Sequence, residues 1–273
     1  MNPTTLTSPS PWQQLRRTHT ADWLKLRRTL TLGLALGGGA LPVVLNFLIF
    51  YFKGDKLLRP GQNPWAHYVY MSWQSAAVLL LPLFLILLTS LLVAIENKAT
   101  AWKHLYALPV GRGAVLGSKL LVLLQLNMLA QVVYVLLLLA SGKILGFVRP
   151  ELLFQQHAAP VGGVALMLAH TFVATLGVLG IQYVAALWWR SFAMPLAAGI
   201  GGLVAALTLL RWEYIDWVPY AAPTQILHGI IEQPNGTLSI QAGVSLAEWT
   251  SLGWFAAAVV LGYGLLLFRK RAD

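Results

Sequence analysis

Six long apolar runs, separated by short polar segments, dominate the pattern of hydrophobic and polar positions along this chain. Each run is close to the roughly 20 residues that an α-helix needs to cross a bilayer. The pattern therefore predicts an all-α polytopic membrane protein with six transmembrane helices. We place these helices at residues 30–52, 69–95, 115–140, 161–187, 193–210 and 251–268.

The same pattern predicts three parts of the chain. Residues 1–29 form a cytoplasmic tail and an amphipathic interfacial helix. Residues 30–268 form the six-span transmembrane domain, and residues 269–273 form a second cytoplasmic tail.

The predicted interfacial helix has apolar and aromatic residues every three or four positions from Trp12 to Leu26, with basic residues between them. This spacing is typical of a helix in the headgroup layer of a membrane. A basic flank that only orients the first span explains the pattern equally well. We expect the interfacial contacts to be made by Trp12, Arg16, Arg17, Trp23 and Lys25.

The segment 96–119 is the most distinctive polar stretch between two predicted spans. Lys98 and Lys103 can reach water or lipid phosphate, while Leu105 and Leu108 occupy the apolar face at helical spacing. The segment therefore predicts a short amphipathic helix across the membrane face, on which a separate protein can act.

The segment 211–250 is the longest stretch outside the predicted spans. Its part 217–230 is too apolar for an ordinary solvated loop, and Pro219 and Pro223 interrupt any spanning helix. We expect a re-entrant or membrane-lying segment before the sixth span, buried where protein or water satisfies its backbone.

The charge distribution explains the formal net charge of +10. With both termini in the cytoplasm, thirteen of the 19 basic residues but only three of the nine acidic residues fall in cytoplasmic segments. This is the positive-inside bias of membrane proteins, so nucleic acid is not needed as a partner. The expected location is a bacterial cytoplasmic (inner) membrane, with multiple spans and membrane lipids as neighbours.

Aromatic residues cluster where the predicted spans end. Trp65, Tyr68 and Trp73 flank the start of the second span, and Trp212 and Trp217 follow the fifth. Such positions are typical of the aromatic belts at membrane–water interfaces.

Several kinds of chemistry have no motif in this sequence. There is no P-loop, no H-E-x-x-H, no G-x-S-x-G and no cysteine. The predicted spans carry no acidic or basic residue away from their ends, which argues against an ion-coupled transporter. We therefore predict no catalytic residue, no metal site and no cofactor on this chain.

Neutral polar side chains occur within the predicted spans. They either form hydrogen bonds between helices or line a route for an amphipathic substrate. Gly33 and Gly37 suit close helix packing. The candidates for the route are Asn46, Gln74, Gln125, Gln131 and His170.

Three features together resemble the permease subunits of ABC-2 type transporters. They are the basic segment 21–29, the loop 96–112 followed by 117–121, and six spans with the segment W-V-P-Y-A-A-P before the last. At two positions the family pattern usually has Gly and Ser, and this chain has Ala99 and Gly111 there instead. The matching positions are Glu96, Thr100, Leu105, Pro109, Val110, Arg112 and Lys119. The chain is most similar to the small permeases of bacitracin-resistance and lantibiotic-immunity systems.

The resemblance implies a transport subunit without enzymatic activity, driven by two copies of a separate ABC ATPase that binds ATP and Mg. It also implies a second permease copy or a homologue, and export of an amphipathic or hydrophobic peptide antibiotic, lipid or drug. The helix near residues 100–108 would be the coupling helix. The implied ATPase-coupling residues are Glu96, Thr100, Trp102, Leu105, Tyr106, Pro109 and Arg112.

Two alternatives remain open at this point. A membrane enzyme acting on lipid-linked substrates needs acids or histidines near a membrane face, and Glu213, Asp216 and His228 are loose candidates. A non-catalytic membrane scaffold would need no such residues and no ATPase partner.

Overall fold

The computed structural model describes residues 10–26, 29–59, 61–98, 111–189, 191–232, 238–241 and 243–269. These residues are predominantly helical, which confirms the expectation of a helical polytopic membrane protein. The helices are α1 Pro11–Leu26, α2 Leu30–Leu57, α3 Pro64–Ser75, α4 Leu81–Lys98, α5 Arg112–Val148, α6 Val161–Trp188, α7 Ala193–Thr208, α8 Ala222–Gln225 and α9 Leu246–Arg269. A π-helical turn, Ala76–Leu80, joins α3 to α4 without a break.

Four of the described helical segments are long and apolar enough to cross a membrane. They are Thr31–Leu57, Pro64–Ala94, Gly113–Val148 and Val161–Trp188. Helix α7 is apolar but has only 16 residues. The structure thus supports four of the six predicted spans, and the crossings by α7 and α9 stay predictions.

Several helix ends differ from those that the apolar runs predict, and local contacts or caps accompany three of these differences. Helix α3 begins at Pro64, because the Asn63 side chain caps it by accepting from the Trp65 backbone N–H at 3.0 Å. Helix α5 continues to Val148 past Gly142, where the absence of a side chain makes room for the Trp65 ring. Helix α9 begins at Leu246, five residues before the predicted start.

The helices alternate in direction and define two ends of the bundle. The near end carries α1 and the beginnings of α2, α5 and α7, and the far end carries the residues that follow these three helices. One apolar cluster joins α1, α4, α5 and α6 toward the near end, and a second joins α2, α3, α5 and α6 toward the far end.

Three aromatic residues of α3 lie in the second cluster. Trp65, Tyr68 and Trp73 are only 2%, 0% and 3% exposed, so the expectation that they form a lipid-facing belt is wrong. Each has an internal partner for its polar atom: the Phe154 carbonyl, the Ser141 hydroxyl and the Thr171 hydroxyl, respectively. By contrast, Trp212 and Trp217 are about half exposed, as a belt requires.

The segment between α7 and α9 packs into the far end. It contains a 3₁₀ turn at Ile215–Trp217, helix α8, a second 3₁₀ turn at Ile226–Gly229, and an antiparallel hairpin of β1 Ile230–Glu232 and β2 Leu238–Ile240. Residues 221–223 and 225–227 are buried, chiefly against α6 and α9. The protein therefore provides the burial that the re-entrant prediction required. The hairpin was not predicted.

Candidate functional site

Helix α1 is fastened along the beginning of α5 by polar contacts. At its start, the Gln14 side-chain oxygen accepts from the Gly111 backbone N–H at 2.7 Å. At its end, the Trp23 indole N–H donates to the Gln125 side-chain oxygen at 2.7 Å. These contacts fix α1 against the first four turns of α5, so the helix packs on the bundle itself, and its contact with a membrane surface stays a prediction.

A buried ion pair lies between these two contacts. The Lys119 ammonium is 3.6 Å from Asp22 Oδ1, and the Ser118 hydroxyl donates to Asp22 Oδ2 at 2.5 Å. The side chains of Lys119 and Asp22 are 3% and 12% exposed, so water screens their charges little. Removing one partner of such a pair is strongly destabilising, which makes it a firm joint between α1 and α5.

The middle of the bundle contains a small cavity of about 30 Å³ between α2, the π-helical turn and α5. Pro42 interrupts the hydrogen-bond ladder of α2 here, and Asn46 bridges the Pro42 carbonyl (2.9 Å) and the Ser75 hydroxyl (2.7 Å). On the α5 side, Gln131 Oε1 and the Tyr134 hydroxyl are buried and have no hydrogen-bond partner among the described residues. A cavity of this size has room for about one water molecule.

Close helix packing at this cavity depends on two glycines that the sequence analysis did not choose. A Cβ at Gly39 would overlap the Ala130 carbonyl oxygen, and a Cβ at Gly38 would lie 2.5 Å from the Phe84 ring. A Cβ at Gly33 or Gly37 would have no described neighbour within 4 Å outside its own stretch of helix. Within the described part of this chain these two glycines therefore mediate no close packing, and packing through them against another chain stays a prediction.

A larger cavity, of about 220 Å³, opens at the far end. His170 of α6 and Glu248 of α9 form one wall, with His170 Nδ1 2.7 Å from Glu248 Oε1. Glu248 Oε2 accepts from both the backbone N–H (2.7 Å) and the hydroxyl (2.8 Å) of Ser245. The opposite wall comes from the segment between α7 and α9, which contributes Asp216, Gln225, His228 and Gln241.

The far-end cavity contains no arrangement that could hold a metal ion. Among the residues that the structure describes, no group of three or more His, Asp or Glu side chains has the proximity that a metal site needs.

Comparison with known proteins gives one match. A family model described as ABC-2 family transporter protein matches residues 20–205, which is more than half of the chain. The chain belongs to the ABC-2 transporter family. It is thus a membrane permease subunit, and such permeases associate with an ABC ATPase. No curated protein and no solved structure matches it.

In this ABC-2 permease, most of the expected coupling residues lie outside the described part of the chain. This applies to Thr100, Trp102, Leu105, Tyr106 and Pro109. The backbone of Glu96 is in α4 and that of Arg112 begins α5, but their side chains also lie outside the described portion. The coupling roles of all seven residues stay predictions.

The expected interfacial residues of the permease divide into two groups. Trp12, Arg16, Arg17 and Lys25 are exposed, as contact with headgroups or a partner would require. Trp23 is partly buried against α5 and donates a hydrogen bond to Gln125. The sequence analysis missed Asp22, whose acidic charge within a basic helix is the signal that could have indicated an internal partner.

The expected route residues are not brought together. Gln74 and Gln125 are exposed on the bundle surface, whereas Asn46 and Gln131 are buried near the small central cavity. His170 lies at the far-end cavity, away from the others. Gln131 donates to Asn127 within α5 at 3.0 Å, and Asn127 donates to the Thr175 hydroxyl of α6 at 2.9 Å, so this amide pair links α5 to α6.

Glu248 is a second acidic residue of the permease that the sequence analysis missed. It was counted as an external charge because the last span was placed at 251–268, but it lies in the first turn of α9 and is only 2% exposed. Ser245 and Glu248 have the spacing of a capping box, which was the available sequence signal.

Proposed function

We propose that this permease is the membrane-spanning subunit of an ATP-driven exporter of amphipathic or hydrophobic molecules. Its substrate class would be a peptide antibiotic, a lipid or a hydrophobic drug, moved out of the membrane or the cytoplasm. The family match carries the transporter part of this proposal. The central cavity supports the substrate class, because its described lining residues are uncharged and do not repel an apolar molecule.

The contact between α1 and α5 supports the route by which ATPase motion would reach the bundle. Segment 99–110 leads into α5 at Gly111, whose backbone N–H donates a hydrogen bond to the Gln14 side chain of α1. A push on that segment would therefore displace α1 and α5 together, since Asp22 and Lys119 join the two helices about two turns further on. Leu105, Trp102 and Tyr106 would be the anchors in the ATPase groove.

The proposed assembly contains two ATPase copies and a second permease, either identical or homologous. Exposed apolar side chains run along α2, α5 and α9, and they suit contact with lipid or with another permease. We propose six spans, both termini in the cytoplasm, and a bacterial inner membrane as the location. A role in bacitracin resistance or lantibiotic immunity is the most specific form of the proposal.

The proposed export is tested by reconstituting the permease with its ATPase in proteoliposomes. A fluorescent hydrophobic peptide should move across the bilayer only when ATP and Mg are supplied on the ATPase side. Leu105→Asp should abolish this movement while the protein still inserts and folds, because a charge cannot enter an apolar groove without cost. Normal ATP-driven movement in the Leu105→Asp variant would place the coupling contact elsewhere.

A further inference from the structure

A thin layer of the bundle separates the near-end apolar cluster from the far-end one. The buried members of the two clusters lie on either side of it in four helices. We call it the central layer, and it consists of residues 36–42 of α2, 78–83 of the continuous α3–α4 helix, 131–133 of α5 and 168–177 of α6.

The α3–α4 helix has a break in its backbone hydrogen bonds at the central layer. The Leu81 N–H donates to the Ala76 carbonyl, five residues back, instead of to the carbonyl four residues back. Pro82 follows and has no N–H, so the Ala77 carbonyl loses the next donor of the π-helical turn. The Thr224 hydroxyl of α8 donates to this carbonyl at 3.5 Å from outside the helix. Single π-helical turns within α-helices occur frequently at functional sites.

Helix α2 has a second break directly beside the first. Pro42 removes the N–H that would bond the Gly38 carbonyl. Asn46, one turn further on, donates both to the Pro42 carbonyl and to the Ser75 hydroxyl, which immediately precedes the π-helical turn. One side chain therefore joins the two breaks, and both of them line the central cavity.

Helix α6 is interrupted at the near-end limit of the central layer by a side chain from α9. The Ser251 hydroxyl accepts from the Gly177 backbone N–H at 2.8 Å and donates to the Ala174 carbonyl at 2.8 Å. A side chain that inserts among the ladder groups of a helix is, like proline and the π turn, a recognised cause of helix bending.

Helix α5 crosses the central layer without any such interruption. It is one helix of 37 residues and contains no proline. When a bundle bends, the helices away from the bending axis must lengthen or shorten, and an intact helix keeps its rise of about 1.5 Å per residue. A helix with a broken ladder can take up the difference at the break. Three interrupted helices beside one continuous helix therefore permit a bend that has α5 as its spine.

We propose that the central layer is a hinge, at which the far-end half of the bundle tilts against the near-end half while α5 stays continuous. The tilt changes the width of the central cavity, because the breaks in α2 and in the α3–α4 helix line it. That the widened cavity receives the transported molecule rests on the proposed function, whereas the tilt itself does not.

The test measures the tilt in the purified permease in phosphatidylcholine nanodiscs, without ATPase or ATP. The native chain contains no cysteine, so spin labels can be attached at pairs of introduced cysteines. Leu24→Cys on α1 and Asp55→Cys at the end of α2 place labels on opposite sides of the central layer. Asp55→Cys and Val161→Cys place both labels in the far-end half, and all three positions are exposed.

A bend of about 20° at Pro42 would move Asp55, at the far end of α2, by about 7 Å. We therefore expect electron paramagnetic resonance to give a broad distance distribution for the pair that spans the layer and a narrow one for the far-end pair. Pro82→Ala supplies the missing N–H, so it should narrow the spanning distribution about twofold. Pro42→Ala is a second variant with the same expected effect, from the other break.

Pro195→Ala is the matched control, because Pro195 lies in the first turn of α7, where a backbone N–H has no partner within the helix. It should leave both distributions unchanged, and thermal unfolding shows that each variant is folded. The inference would be overturned if the spanning distribution of the native permease were as narrow as the far-end one, or if neither Pro82→Ala nor Pro42→Ala narrowed it. Because no ATPase or substrate is present, this failure is distinct from failure of ATP-driven export.

Discussion

Asp22 of α1 and Lys119 of α5 form a buried ion pair with a separation of 3.6 Å, close to the point where segment 99–110 enters the bundle. Neither residue is among the described lining of the central cavity or of the far-end cavity, so we expect the importance of the pair to be mechanical. It joins the N-terminal helix to the helix that would receive motion from the ATPase. A buried pair of this kind can fix the register of two helices even where it adds little net stability.

We predict that Asp22→Asn destabilises the permease by about 3 kcal/mol, because the buried Lys119 loses the carboxylate beside it. Thermal unfolding in detergent measures this effect. Asp55→Asn, which removes an exposed acid at the far end, is the control and should leave the melting temperature unchanged.

A double-mutant cycle separates the pair from the rest of the α1–α5 contact. Asp22→Asn combined with Lys119→Met should be less destabilising than the sum of the two single variants, by about 1 kcal/mol or more. Strict additivity would show that the two charges act independently.

We predict that Gly39→Ala destabilises the bundle by about 1–3 kcal/mol, because its methyl group would overlap the Ala130 carbonyl and force α2 away from α5. Gly33→Ala is the matched control on the same helix, since the added methyl meets no atom within 4 Å. We expect Gly33→Ala to be neutral or slightly stabilising, because alanine favours the helix. The comparison of the two melting temperatures checks the packing; equal melting temperatures would refute it.

The orientation of the permease can be checked directly because the native chain contains no cysteine. Gln13, at the near end, and Gln156, at the far end, are both exposed, so each position can carry a single cysteine. In intact cells, a membrane-impermeant maleimide should label Gln156→Cys and not Gln13→Cys, as the positive-inside bias predicts. The reverse labelling pattern would invert the proposed topology.

The positions of the long helices could be predicted from the sequence because hydrophobic runs determine which segments can enter a bilayer. The apolar runs do not predict the ends of these helices, since the ends depend on local contacts. Helix α5 passes Gly142 because Trp65 packs there, and α9 starts early because Ser245 and Glu248 cap it. An apolar run does not reveal either contact.

The candidate site was less predictable than the fold. Trp65 and Trp73 are of the residue type expected in an interfacial belt, yet both are buried. Their indole N–H groups donate to internal acceptors, the Phe154 carbonyl and the Thr171 hydroxyl. The Asp22–Lys119 pair and the His170–Glu248 pair also join residues far apart in the chain. Without the packing of the helices, neither partner indicates the other.

We propose that segment 98–108 connects this permease to an ABC ATPase. The most direct measurement is a gentle-detergent pull-down of the permease from its native membrane, with the native segment and with residues 98–108 scrambled. Thermal unfolding confirms that both versions are folded. We expect a P-loop ATPase to accompany only the native version. Equal recovery of the ATPase with both versions, or its absence from both, would contradict the claim.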